Sequence, residues 1–205
     1  MKDIVTKIKE IETLVCENSE DLEVEYLIDE SLYDDYLEID GASEEAIAAF
    51  EKKLNITMPE DMKELYRYKN GSNLFYLLFP NDKLDREFKF RLMSLEDIIE
   101  AKESFQDRDM LISEYYDKDE DEYTNKLIER MQDSRVKPYL FNKRWIPFAE
   151  ADGDINLMLD FDPGKDGISG QIICFIHDPD EITYVARSLT EIIDDSILNI
   201  TFEDK

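Results

Sequence analysis

Between Ile155 and Ala186 three apolar runs of strand length, residues 155–161, 171–177 and 182–186, follow one another across turns of four to nine residues. Parallel neighbours need a crossover of about a dozen residues or more, so short turns force these strands to run antiparallel. Upstream, Trp145-Ile146-Pro147-Phe148-Ala149 leads into a turn and reads as a fourth strand. Residues 75–79 and 88–93, on either side of Pro80-Asn81-Asp82-Lys83, read as two more.

Helical spacing frames these strands. Ile4, Ile8, Ile11 and Val15 recur on one face and predict an amphipathic helix over 3–17. Residues 22–28 alternate apolar and acidic and then turn apolar, a pattern compatible with strand or helix. Ser43 is placed to cap a helix carrying Ala46, Ile47, Phe50 and Leu54, with Glu44 and Glu45 at its positive end. Pro59 then suits the first turn of a second helix bearing Met62, Leu65 and Tyr66, which Asn70-Gly71 ends. Ser94 begins a helix over about 95–105, and Ser188 with Glu191 caps a last one carrying Leu189, Ile192, Ile193, Ile197 and Leu198. The expected fold is α+β: a mainly antiparallel sheet of about six strands flanked by helices, with an N-terminal helical extension.

Residues 106–136 break the pattern. Residues 114–123 hold six acids and three tyrosines, which points to an exposed insertion with a helix over about 121–133. Residues 1–40 form a second acidic stretch, with 14 acids and three lysines. The expected organisation is an extension at 1–40 and a domain at 41–205 interrupted by the acidic insertion. Over the whole chain 51 acids face 24 bases, a net charge of −27. Such a surface disfavours nucleic-acid phosphate and anionic membrane, and draws in a basic protein partner. It serves solubility equally well, and charge alone does not separate the two. An acid and a lysine within the first seven residues interrupt any export signal, and no run approaches a bilayer span, so a cytoplasmic protein is expected.

Few residues carry catalytic chemistry. Asp152-Gly153-Asp154-Ile155-Asn156 starts like a calcium loop, but Leu157 and Pro163 stand where glycine and a bidentate glutamate are needed. Cation binding by Asp152, Asp154, Asp160 and Asp162, and a metal-dependent enzyme built on them, stays open as a minor reading. His177 has no second ligand spaced near it, and Cys174 sits inside a strand, so no metal, cofactor or nucleophile–base pair is expected. Gly164, Gly167 and Gly170 lack the Gly-Lys-Ser/Thr ending of a phosphate loop and fit a turn. Trp145, the lone tryptophan, reads as a core anchor.

Two stretches together resemble a known family. The first runs Ser43-Glu44-Glu45-Ala46-Ile47, Phe50-Glu51, Met58-Pro59-Glu60-Asp61, Tyr66 and Asn70-Gly71. The second runs from Trp145 and Pro147 through Asp152-Gly153, Asn156, Asp160-Phe161-Asp162-Pro163, Gly167 and Gly170. In this order they resemble the SUKH superfamily, which includes fungal cell-wall-assembly regulators and bacterial immunity proteins, over roughly 41–200. Met58 replaces the usual leucine, and neither 1–40 nor 106–136 has a counterpart. The resemblance implies a non-enzymatic immunity protein that neutralises a cognate toxin, often a nuclease and here expected to be basic. A regulatory or scaffold module is the alternative. The expected contact residues are Tyr115, Tyr116, Asp119, Glu120, Asp121, Tyr123, Asp152 and Asp154, because acid-embedded tyrosines suit a cationic partner. The same stretch reads equally as a solvated loop.

Overall fold

The computed structural model describes residues 3–80, 84, 87–105, 109–117 and 121–202. The chain is α+β: a mainly antiparallel six-stranded sheet, with two strands from residues 76–92 and four from residues 145–186, flanked by helices. It divides into two compact units, residues 1–96 with 188–205, and residues 97–187.

In the first unit α1 (Ile4–Glu17) starts at Asp3, whose carboxylate accepts the Thr6 N–H at 2.8 Å. Its apolar stripe, Ile4, Ile8, Ile11 and Val15, is buried. Each such side chain contributes roughly 1.5–3 kcal/mol of transfer free energy, before the entropy of ordering is subtracted. The stripe packs against the C-terminal helix, and Lys7 bonds Asp194 there. The ambiguous stretch at 22–28 resolves into turns and a short helix, α2 (Tyr26–Asp29), followed by α3 (Leu32–Leu37). Helix α4 (Glu44–Leu54) is capped by Ser43 as expected, and α5 (Glu60–Tyr68) begins one residue past Pro59.

A buried polar cluster fastens the N-terminal forty residues to this unit. The Glu12 carboxylate accepts the Tyr36 hydroxyl at 2.5 Å and the Tyr68 hydroxyl at 3.0 Å. Lys69 donates to the carbonyls of Tyr36, Leu37 and Ile39 at 3.1, 2.9 and 2.7 Å, filling the open C-terminal end of α3. Burial holds its ammonium below the usual lysine range. Gly71, at a φ of +98°, turns the chain after α5, and Asn70 beside it accepts the Leu95 N–H at 3.0 Å. The helix that starts there, α6 (Leu95–Phe105), thus has an acceptor from far upstream at its N-terminus. Strands β1 (Tyr76–Leu78) and β2 (Phe90–Leu92) pair antiparallel. The last helix of the chain (Leu189–Phe202) satisfies the exit from β1: Ser196 accepts the Phe79 N–H and Asn199 donates to its carbonyl.

The second unit holds a short pair, β3 (Met110–Leu111) with β4 (Tyr139–Phe141), and the helices α7 (Ile112–Tyr115) and α8 (Glu122–Arg130). Strands β5 (Trp145–Ala151), β6 (Ile155–Asp160), β7 (Gln171–Ile176) and β8 (Glu181–Ala186) form an antiparallel meander. Every residue of β6 and β7 is buried, so these strands are continuous apolar runs rather than alternating ones. The C-terminal helix, α9, follows β8. The stretch read as an exposed insertion is only half exposed. Ile112, Leu127, Met131 and Val136 turn inward and pack in one core with Trp145, Met158, Ile173 and Phe175. The acids dominate its composition, but the apolar residues fall on one side of α7 and α8.

Candidate functional site

Asp160, the last residue of β6, is fully buried yet ionisable. Its Oδ1 accepts the Trp145 indole N–H at 3.0 Å and the Asp162 backbone N–H at 2.8 Å. Its Oδ2 accepts the Gln171 amide at 2.9 Å. Burial pushes the carboxyl above the usual range, against the three donors that favour its charged form. The Gln171 amide also donates to the Arg135 carbonyl at 2.7 Å, and its oxygen accepts the Ile168 N–H at 3.0 Å. Asp162 is spoken for as well: burial raises its carboxyl, but hydrogen bonds from Lys137 and Asn142 outweigh that and hold it below the usual range.

The loop that follows lies against the backbone of residues 134–135. Gly164 N–H donates to the Arg135 carbonyl at 2.8 Å, and Asp166 N–H to the Ser134 carbonyl at 3.2 Å. A Cβ on Gly164 would stand 2.4 Å from the Ser134 oxygen, and one on Gly167 2.2 Å from the Arg135 oxygen. These glycines serve close backbone approach. Arg135 completes the join, chelating Asp133 and lying 3.5 Å above the Tyr184 ring centroid. Trp145, Asp160, Pro163, Gly167, Gly170 and Gln171 thus belong to a clamp that grips the end of the acidic segment. Pro147 marks a register shift in β5, and Asn156 is buried within β6.

Held in this way, residues 131–138 form one side of an open groove of about 670 Å³. Its other side comes from Leu111, Ile112, Tyr116 and Ile128, so its walls are mainly apolar.

The expected contact residues fall in two places joined by a turn. Tyr115 is exposed and meets Tyr116 edge-on, with ring centroids 4.9 Å apart. Tyr123 is 60% exposed on α8, whose N-terminus Asp121 caps by accepting the Thr124 N–H at 2.8 Å. Asp119 and Glu120 lie outside the described residues. Asp152, at a φ of +50°, and Gly153, at +78°, make the tight β5–β6 turn and leave Asp152 and Asp154 exposed at its tip. The β7–β8 turn bridges the two groups. His177 N–H donates to the Asp154 carbonyl at 3.2 Å, the His177 ring pairs with Asp180 at 2.6 Å, and Tyr116 donates its hydroxyl to the Asp180 carbonyl at 2.8 Å. Burial, then the nearby Asp180, pushes the Tyr116 phenol up to about 12. The hydrogen bond and charge of Asp180, with Asp154 and Asp178 adding to them, raise the His177 imidazole. His177 and Asp180 therefore hold the candidate region together, and sequence reasoning did not include them. Their only signal was a turn spelled His-Asp-Pro-Asp, about sixty residues from the Tyr116 that it supports.

The acids once grouped as a cation cluster are apart. Asp152 and Asp154 precede β6 while Asp160 and Asp162 stand at its far end, about 17 Å away for a six-residue strand. Among the described residues no three acids, cysteines or histidines converge to hold a metal ion. Cys174 is buried, with its thiol pushed up by desolvation. No helix of the described residues is long and apolar enough to cross a membrane.

The fold and site define an α+β domain whose signature residues position a segment. Residues 41–195 match the model of the SMI1 / KNR4 family (SUKH-1), and the chain belongs to that family. A search of curated proteins returned no match.

Proposed function

We propose that this chain is a cytoplasmic immunity-type protein that binds and neutralises a basic protein toxin, such as a nuclease, and performs no chemistry of its own. The observation that carries the reading is the β7–β8 turn, which links Tyr116, and Tyr115 packed on it, to the β5–β6 turn that exposes Asp152 and Asp154. Exposed tyrosines supply large contact area at small entropic cost, and surrounding acids speed the encounter with a cationic partner. The net charge of −27 extends that attraction. Against an enzymatic role stands the use of the signature acids: Asp160 is consumed by three internal donors and Asp162 by Lys137 and Asn142.

The test is capture of partners from the source cell by the tagged chain, released through a salt ramp, followed by expression of each partner alone. The expected result is one basic protein that stops growth by itself and is silenced by this chain. Tyr115→Ala with Asp154→Asn should weaken that silencing. A captured partner that is harmless alone would replace the immunity reading with a regulatory one.

A further inference from the structure

The apolar groove adjoins the acid-and-tyrosine region, because Tyr116 lines the groove and its hydroxyl reaches the Asp180 carbonyl. Resting on the binding role proposed above, we infer that the groove seats a helical segment of the basic partner, its apolar side chains inserted and its lysines or arginines lying over the acids of α7 and α8.

Three observations support this occupant. First, about 670 Å³ exceeds what one side chain needs and falls among cavities that bury most of a bound group. It suits the two or three anchors that a helix presents at i, i+3 or i+4 and i+7. Second, Ile112 and Met131, which line it, belong to the unit's core, so the lining is anchored in packed residues and binding requires little ordering. Third, the two sides differ in charge. Helices α7 and α8 and the residues beside them expose Glu114, Asp117, Asp121, Glu122 and Glu129 against Lys126 and Arg130, so acids exceed bases there even though Lys126 pairs with Glu122. The rest of the lining carries Lys137 and Lys165 with Asp133, which Arg135 chelates. Lys137 is bound to Asp162, and Lys165 approaches Asp166 at 3.9 Å. A cationic edge is therefore favoured along one side only, which orients the segment as well as attracting it.

The probe is a synthetic amphipathic helix of leucine and lysine about five turns long, compared with a lysine–glutamine peptide of equal charge. At about 0.3 M salt, where long-range attraction between exposed charges is screened, the leucine peptide should bind about tenfold tighter. Amide shifts should concentrate between residues 111 and 138. Ile128→Glu, on the wall, and Ser113→Trp, on the exposed rim, should each erase the tenfold difference. Thermal melts of both variants establish that they fold, and the rim substitution leaves the core untouched. A leucine gain that survives in a folded Ser113→Trp protein, or no gain in the parent, overturns the groove assignment. The two readings fail separately. A Ser113→Trp chain that still silences the toxin at full strength discards the groove and keeps the immunity role. A parent chain that seats the peptide yet silences no toxin discards the role.

Discussion

Asp160→Asn changes one atom, and the hydrogen bonds around it fix what that costs. In the parent, Oδ1 takes the Trp145 and Asp162 donors and Oδ2 takes the Gln171 amide nitrogen. An asparagine that keeps its oxygen at Oδ1 places an NH₂ against the Gln171 NH₂. Gln171 cannot turn over to accept it without losing its bonds to the Arg135 carbonyl and the Ile168 N–H. Turning the asparagine instead leaves the Trp145 indole facing a donor. Either arrangement buries an unpaired donor, at about 1–3 kcal/mol, and gives up the charge assistance of the remaining bonds. Burial disfavours the ionised Asp160, so neutralising it returns part of that loss. The expected net destabilisation is about 2 kcal/mol, or about 4–8 °C in Tm for a chain of this size. Trp145 is the only tryptophan and touches the altered group, so urea unfolding followed by its fluorescence reads the site directly. Asp160→Leu removes the acceptor for all three donors and should cost about 5 kcal/mol. An asparagine variant as stable as the parent, or one as damaged as the leucine variant, refutes the donor-matching argument.

Other substitutions follow from the same geometry. Gly167→Ala drives a methyl to 2.2 Å from the Arg135 oxygen and should cost about 2–3 kcal/mol in urea unfolding. Lys69→Met strips the cation from three carbonyls that end α3 and should cost about 3 kcal/mol; hydrogen exchange should show the lost protection concentrated at residues 32–39. Lys102 is 3% exposed, its ammonium has no hydrogen-bond partner among the described residues, and burial lowers it to about 8 despite Asp109 nearby. Because the folded state releases this proton before the unfolded state does, stability should rise with pH between about 8 and 10.5. Lys102→Met should therefore gain up to about 3 kcal/mol at neutral pH and flatten that rise, as measured by urea titrations across the range.

Elements whose burial is written in local spacing were legible in advance. The α1 stripe, the Ser43 cap and the meander at 145–186 each depend on residues within a turn or a short loop of one another. What escaped reading depends on distant partners. Nothing around Lys69 says that it ends a helix some thirty residues upstream, and nothing around Asn70 says that it meets the start of α6. Residues 22–28 stayed ambiguous because a four-residue helix has too few positions to show a period. Residues 106–136 read as an exposed insertion because acids dominate their composition; the spacing of Leu127, Ile128 and Met131 marks an apolar side of α8 but not the core that buries it. Tyr115, Tyr116 and Tyr123 were visible as an unusual cluster, but their link to Asp154 runs through the β7–β8 turn, which only the folded register reveals.

The clamp joins two stretches of chain by unequal means. Its grip on the acidic segment uses main-chain acceptors: the Ser134 carbonyl takes Asp166, and the Arg135 carbonyl takes both Gly164 and Gln171. Main-chain groups are present whatever the side chains are, so these bonds do not depend on the segment's exposed side chains, although Arg135, Lys137 and the core residues Ile112 and Met131 also hold it by their side chains. The signature side has no such freedom. Asp160 and Gln171 must match donor to acceptor, and Gly164 and Gly167 must lack a Cβ. The signature residues thus fix the segment through its backbone, apart from the side chains that it exposes.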